Sequence, residues 1–396
     1  MMRIAALLTV LMMTLPSAAS TLSEAGFRQL ERAQALLADG DAEAANTLLE
    51  TRFPRAENDG ERALIRQVQG FALAAIPRNR AAIERLQQAL DYQQLPEPAA
   101  LQSRLALGQL LYVENDLPGA IRVLEAYLAE AGAQAVIEAQ VMLASAYVSA
   151  GQYAKARAPL AAALERRKPP PLAWLELQLA IDYGLKAWAP AADTLLTLIA
   201  RAPDSAQYWQ QLSGVYYELG RQPQTLAALA LAHRHGVLDE PRSLRNLAQL
   251  YQALGIPYKA GELLTDALAA GALPADVEML DRLSDAWIAA REYDRAVSVL
   301  ERRLALQAAP GSRLRLAQVH VQRHDWPAVI QLLGRDVAGL DGDAALLLGM
   351  AAFESNDLPL AQRAFSRARS SPNQRRAADQ WLRYLGEVAD AGTTTP

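Results

Sequence analysis

LASAYVSAGQYAKARAPLAAA, residues 143–163, is the stretch that decides the fold. Its apolar residues recur at helical spacing on both sides of Gly151, which indicates two helices joined by a turn. Ala144 and Ala156 are small where the two helices would approach, and Tyr147 is a large side chain that packs between them. The stretch LSDAWIAAREYDRAVSVL, residues 283–300, has the same pattern, with Trp287 in the place of Tyr147.

The pattern recurs along the chain with a period near 34 residues. We place ten repeats, which start at about residues 26, 63, 101, 137, 173, 206, 241, 277, 310 and 342. Position 8 of each repeat is small: Ala33, Gly70, Gly108, Ala144, Ala180, Ser213, Ala248, Ser284, Ala317 and Gly349. Position 20 is Ala in eight repeats, and position 24 is Leu in nine and Phe365 in the tenth. These recurrences predict an all-α chain of stacked helical hairpins.

These residues and spacings resemble the tetratricopeptide-repeat (TPR) family over about residues 26–390. The resemblance implies a right-handed superhelical solenoid of about ten repeats. The first helix of each repeat, helix A, would line a concave groove that binds peptides or partner proteins. We expect a signal peptide at 1–20, the solenoid at 21–372, a capping helix at 373–390 and a disordered tail at 391–396. Pro169-Pro170-Pro171 interrupts the pattern, but the period continues through it, which favours one architecture.

Two stretches give a narrower resemblance. YQALGIPYKAGELL (251–264) and AADQWLRYL (377–385), together with AREYDRAV (290–297), are similar to periplasmic TPR proteins encoded beside TonB–ExbB–ExbD systems. Those systems use the inner-membrane proton gradient to drive uptake through outer-membrane receptors. The resemblance implies a partner protein in the cell envelope, with TonB-system components as candidates.

The N-terminus has the features of a secretory signal. Arg3 supplies a positive charge, residues 4–15 form an apolar run, and small residues follow Pro16 at positions 17–20. Twelve residues are too few for a membrane span, which needs about 20. We therefore expect cleavage after Ala19 or Ser20, a periplasmic protein, and no membrane insertion of the mature chain. An uncleaved membrane anchor is the alternative.

Composition excludes several classes of function. The chain has no cysteine, which removes disulfides, thiol nucleophiles and Cys-ligated zinc. With 39 basic and 43 acidic residues it is mildly acidic, which gives little electrostatic basis for nucleic-acid binding. It contains no Gly-rich phosphate loop, HExxH or GxSxG motif. We expect neither an enzyme nor a cofactor.

His320 and His324 are the strongest candidates for a metal site, because two imidazoles four residues apart on a helix can share an ion. However, His320 occupies a position that is normally a buried aromatic, His324 falls in the turn, and the sequence has no third His nearby and no Cys. Packing and turn roles are therefore the preferred interpretation, and we expect no metal.

The candidate binding residues are those that the TPR resemblance assigns to the groove, from positions 2, 5, 9 and 12 of helix A. They are Trp174, Tyr217, Arg242, Arg245, Gln249, Asp281 and Asp285. Arginine can hold carboxylates with two hydrogen bonds, and an aromatic ring can anchor a partner side chain. Two alternatives remain: the prolines could bury Trp174, and the two arginines could pair with the two aspartates. The carboxylate clamp of cytosolic TPR chaperone adaptors is not matched.

The leading functional hypothesis is a periplasmic adaptor whose groove holds a segment of an envelope protein, within TonB-type energy transduction. The alternative is a structural scaffold in envelope polysaccharide export or outer-membrane assembly. A third hypothesis, from another class, is an enzyme or metal binder on a TPR fold. Neighbouring genes would separate the first two, and a metal assay would test the third.

Overall fold

The protein is described by a computed structural model over residues 22–393, and these residues form α-helices joined by short loops. The expected signal peptide at 1–20 lies outside the described residues, as do residues 394–396. The first ten helices are α1 (Glu24–Ala38), α2 (Ala42–Arg52), α3 (Asp59–Ala75), α4 (Asn79–Asp91), α5 (Glu97–Val113), α6 (Leu117–Ala131), α7 (Ile137–Ser149), α8 (Tyr153–Arg166), α9 (Leu172–Gly184) and α10 (Trp188–Arg201). The others are α11 (Ala206–Glu218), α12 (Gln222–Arg234), α13 (Pro241–Ala253), α14 (Pro257–Ala269), α15 (Val277–Ala289), α16 (Tyr293–Leu306), α17 (Pro310–Gln322), α18 (Trp326–Leu333), α19 (Gly342–Glu354), α20 (Leu358–Arg369) and α21 (Arg375–Thr393).

The helices pack as hairpins, each odd-numbered helix up to α19 with the helix that follows it. The last helix, α21, packs against α20. Because the described residues contain helices and no strand, the predicted all-α repeat architecture is confirmed. Helix α21 extends three residues beyond the expected boundary at 390, so residues 391–393 are helical and not part of a tail.

The chain divides into two compact units, one ending at Arg201 and the other beginning at Ala202. The three prolines lie inside the first unit and do not mark this boundary. Helices α8 and α9 pack against each other across the prolines, and Arg201 Nη1 donates a hydrogen bond to the Pro170 carbonyl oxygen at 2.5 Å. The hairpin pattern therefore continues through the proline stretch, as the repeat period predicts.

Close approach between the two helices of a hairpin explains the small residues. A Cβ on Gly70 would lie 2.6 Å from Leu86 Cγ, and one on Gly108 would lie 2.8 Å from the Leu124 side chain. In both repeats the small residue at position 8 therefore faces the large residue at position 24. Position 20 is buried in all ten repeats, with an exposed fraction between 0% and 6%.

The turns inside the hairpins share a feature, a residue in the left-handed conformation, in every hairpin but the second. Nine of the ten turns contain one: Gly40, Asn115, Gly151, Lys186, Gly220, Gly255, Arg291, His324 and Asn356. The expected turn at Gly151 is confirmed by its φ of 71°, and Gly220 and Gly255 have φ values of 67° and 74°. Five turns use a residue with a side chain in this conformation, which glycine adopts without a steric penalty.

The fifth repeat begins one residue earlier than the sequence suggests. Its left-handed residue is Lys186, and α9 begins at Leu172, which places the start at 172 instead of 173. The side chain assigned to position 24, Leu196, is 46% exposed, whereas its neighbour Leu195 is fully buried. Leu195 and Leu196 are identical, as are Ala191 and Ala192, so positions 20 and 24 fit both registers. Position 8 decided the expected register, because Ala180 is small there, whereas the observed register places the buried Leu179 at position 8, so the prediction of a small residue at this position is wrong in the fifth repeat.

Candidate protein-binding face

Helix α13 separates its polar and apolar residues onto two faces. Leu244, Leu247 and Ala248 are buried in the core of the second unit. Arg242 and Gln249 are exposed and Arg245 is half-buried. Because residues at i, i+3 and i+7 share one side of a helix, these three polar side chains form a single stripe that the core does not use.

Tyr217, near the end of α11, lies on the same unit. Its side chain is 70% exposed, the largest exposed fraction among the large apolar and aromatic side chains that protrude from the described helices. A tyrosine that is not packed into a core offers apolar area and a polar tip to a partner. We refer to Tyr217, Arg242, Arg245 and Gln249 as the α11/α13 residues.

The two arginines on this stripe, Arg242 and Arg245, have no acidic partner among the described residues. Within residues 22–393, neither Arg242 nor Arg245 forms an ion pair or a side-chain hydrogen bond. The alternative that they pair with Asp281 and Asp285 is therefore wrong. The stripe presents two guanidinium groups with all their donors available.

Asp281 and Asp285 are bound by other arginines. Asp281 Oδ1 accepts a hydrogen bond from Arg303 Nε at 3.0 Å, and Asp285 pairs with Arg315. Arg315 also lies 4.0 Å from Asp281, and Arg303 reaches Ser312 on α17. The two aspartates thus connect α15 to α16 and α17, and their carboxylates are already paired with arginines of the same chain, although the Asp285 side chain is 58% exposed.

Trp174 does not provide an exposed anchor. It is 9% exposed and belongs to a buried cluster with Leu143 and Ile181. The Arg167 guanidinium lies 5.5 Å from the centre of its ring. With the repeat starting at 172, Trp174 falls at position 3 instead of the groove-facing position 2, which explains why the assignment is wrong.

Sequence reasoning missed Asp182 for the same reason. In the corrected register it falls at position 11, where Tyr147 and Trp287 stand in their repeats. Asp182 is only 4% exposed, and burial raises the pKa of its carboxyl group, an effect that Arg157 partly opposes. The turn residue that fixes this register is Lys186 instead of a glycine, so residue types alone provide no signal for the buried acid.

The two histidines of the candidate metal pair make separate contacts. His320 is 6% exposed, and its Nδ1 lies 3.2 Å from Asp325 Oδ2. His324 has a φ of 54° in the turn, and its ring meets Trp326 edge-on at 5.4 Å. Among residues 22–393, no group of three His, Asp or Glu side chains is arranged to hold a metal ion.

These features define a helical-repeat protein that exposes a charged face and buries a few polar side chains between its helices. A sequence model of the tetratricopeptide repeat matches residues 69–135 and 141–179, which supports assigning these segments to that family. Tetratricopeptide repeats generally bind protein partners as non-enzymatic scaffolds. Nothing in the described part of the chain indicates catalysis, and its helices are too short or too polar to cross a bilayer.

Solved structures with similar helical repeats have low sequence identity to this chain. A tetratricopeptide repeat protein from Parabacteroides merdae is 10% identical, covers 76% of this chain and all of its own, and has a TM-score of 0.40. The TPR-like repeats of a putative kinesin light chain from Podosopora anserina are 21% identical over 44% of this chain and 92% of theirs (TM-score 0.36). MamA of AMB-1 is 19% identical over 44% of this chain and 98% of its own (TM-score 0.37). A search of curated proteins gives no match.

Proposed function

We propose that this protein is a periplasmic adaptor that binds an acidic segment of an envelope protein through the α11/α13 residues. The observation that carries the proposal is the pair Arg242 and Arg245, one turn apart and without an internal partner. Guanidinium groups bind carboxylates with paired, charge-assisted hydrogen bonds. Two free arginines in a chain with more acidic than basic residues favour a partner that supplies carboxylates.

Tyr217 and Gln249 complete the recognition surface. An exposed tyrosine loses little conformational freedom on binding and contributes a large contact area, which is why tyrosine is common among binding anchors. Gln249 offers an amide that both donates and accepts hydrogen bonds. The combination suits an extended polar segment better than an apolar helix.

The periplasmic location and the TonB-type partner are the finer part of the proposal. The location is supported by Arg3, the apolar run at 4–15 and the small residues at 17–20. The partner class is supported by the resemblance of residues 251–264 and 377–385 to TPR proteins encoded beside TonB–ExbB–ExbD systems. Gene neighbourhood tests the partner class directly.

Processing of the N-terminus is the first test. We expect native protein from a periplasmic fraction to begin at Ser20 or Thr21, because the small residues before these positions suit signal peptidase. Intact-mass measurement and N-terminal peptide mapping would establish the start. Native protein that retains Met1 and sediments with membranes would contradict the periplasmic location.

Replacing both Arg242 and Arg245 by alanine should weaken binding of the partner by about 2 kcal/mol or more, which raises Kd roughly thirtyfold. The partner is first isolated by crosslinking and pull-down from whole envelope, then titrated against wild type and the double variant. Helicity and melting temperature should stay close to wild type, because neither arginine has an intramolecular ion pair to lose.

The matched control replaces Arg234 on α12 and Arg302 on α16, two exposed arginines outside the α11/α13 residues. It removes the same net charge, so a general electrostatic effect would lower the partner's affinity equally for both variants. A loss confined to the Arg242/Arg245 variant supports the proposal. Equal affinity of wild type and that variant would reject this face as the binding site.

A further inference from the structure

A cavity of about 340 Å³ opens between α8, α9 and α10 in the first unit. Leu160, Leu164 and Ile181 give it apolar walls, and Asp182 and Arg157 are its charged residues. Leu160, Ile181 and Asp182 are buried, whereas Arg157 is exposed at the mouth. The cavity is therefore an apolar space with a carboxylate inside and a guanidinium at its opening.

Asp182 lines the cavity from position 11 of the fifth repeat. In four of the other nine repeats, position 11 holds a large aromatic side chain: Tyr147, Tyr216, Tyr251 and Trp287. In its own repeat Tyr147 is 5% exposed, and its hydroxyl donates a hydrogen bond to Glu125. In the fifth repeat Asp182 replaces the aromatic residue, so the ring is absent and a carboxylate lies close to the backbone at this position.

The Asp182 carboxylate is incompletely paired. Oδ1 lies 3.3 Å from Arg157 Nη2, a long contact, and Oδ2 has no hydrogen-bond partner within the described residues. A buried acceptor without a donor is unfavourable, and it becomes favourable when a donor reaches it. Arg157 itself is about half exposed, with 52% of its side chain accessible, so it does not close the cavity.

We propose that this cavity receives a phenol or indole side chain of a partner polypeptide, which fills the space of the missing ring and donates its O–H or N–H to Asp182. The inference rests on the proposed protein-binding function and assigns it a second contact, separate from the α11/α13 residues. A neutral donor fits best because Arg157 repels a second cation and Asp182 repels an anion. The ring would pack on Leu160, Leu164 and Ile181, as a tyrosine does at position 11 of its own repeat.

The test uses p-cresol, the side chain of tyrosine, as the probe, with toluene as the same ring lacking the hydroxyl. Saturation-transfer NMR titrations on the whole mature protein measure both affinities. We expect p-cresol to bind about tenfold more tightly than toluene, since only p-cresol can donate to the buried carboxylate. Equal affinities, or no binding of either, would overturn the proposal.

Two variants locate the binding. Asp182→Tyr restores the ring found in other repeats and should abolish p-cresol binding. Ala161→Phe narrows the cavity from its exposed rim and should weaken p-cresol binding at least tenfold without disturbing the core. Ala158→Phe, at an exposed site on the same helix outside the cavity, is the matched control and should leave binding unchanged. Unaltered p-cresol affinity in Ala161→Phe would overturn the assignment to this cavity.

The partner isolated by pull-down distinguishes a side chain from a free small molecule. Weaker binding of that partner to Ala161→Phe, but not to Ala158→Phe, supports a partner side chain in the cavity. If p-cresol binds while the partner's affinity is the same for both variants, the partner-polypeptide assignment is overturned. Because the Arg242/Arg245 variant tests the other contact independently, failure here leaves the outcome of that experiment unaffected.

Discussion

Replacing Glu61 by alanine is expected to destabilise the first unit by about 3–5 kcal/mol, because it breaks a buried ion pair from one side. Glu61 is fully buried on α3, and its Oε1 lies 2.5 Å from Arg52 Nη2 and 2.7 Å from Arg52 Nε. Its Oε2 accepts hydrogen bonds from Ser23 Oγ at 3.2 Å and the Glu57 amide at 3.3 Å. Without the carboxylate, the buried Arg52 guanidinium loses its counter-charge and the start of α1 loses a contact.

The control is Asp59→Ala on the same helix. Asp59 pairs with Arg62 at 2.8 Å, but its side chain is 59% exposed, so the loss should be no more than about 1 kcal/mol. Urea unfolding followed by circular dichroism measures both variants, and hydrogen exchange over α1 to α3 assigns the change to the first unit. Similar losses in the two variants would show that burial does not strengthen the Glu61 pair.

The second large effect is expected at Phe365, where alanine should destabilise the second unit by about 3–5 kcal/mol. Phe365 is fully buried on α20, and its ring stacks on Trp381 of α21 with centres 5.3 Å apart and planes at 7°. The truncation removes a core ring and leaves Trp381 without its stacking partner. We therefore expect α21 to exchange its amide hydrogens faster than the other helices of the unit.

Hydrogen exchange of peptides covering α19 to α21 measures this prediction. Tyr384→Ala is the control, because Tyr384 belongs to the same aromatic group as Phe353 and Trp381 but is 48% exposed. The Tyr384→Ala variant should lose about 1 kcal/mol or less of its free energy of unfolding. If α21 keeps wild-type protection in Phe365→Ala, the stack does not hold the last helix in place.

The fold could be predicted from the sequence because its constraints are local and recur. Position 8 faces position 24 of the same repeat, so a small residue and a large one, 16 positions apart, mark the same contact in nine of the ten repeats. The exception is the fifth repeat, where Leu195 and Leu196 satisfy position 24 in two registers and the small Ala180 favours the wrong one. Burial and the left-handed turn at Lys186 distinguish the registers, and neither is evident from residue types alone.

The binding face could be predicted only in part. The helix A positions that the TPR resemblance assigns to the groove pointed to Arg242, Arg245 and Gln249, and in the structure these residues lie outside the core. The partners of Asp281 and Asp285 were not predictable, because long arginine side chains from α16 and α17 reach them across 22 and 30 positions of sequence. Whether these surfaces bind an envelope protein stays a prediction.

The contact between Gly349 and Phe365 has a consequence for how this sequence can evolve. A Cβ on Gly349 would overlap the Phe365 ring. The space between these two facing helices is therefore filled almost entirely by one residue, Phe365. Other repeats divide it differently, with Ala144 opposite Leu160. A glycine that grows first passes through a steric clash, and Gly70 and Gly108 show that a facing leucine also lies too close for a Cβ, so the large residue must both shrink and shift before the glycine can change. The history of such a pair is therefore directional, and the large residue changes first.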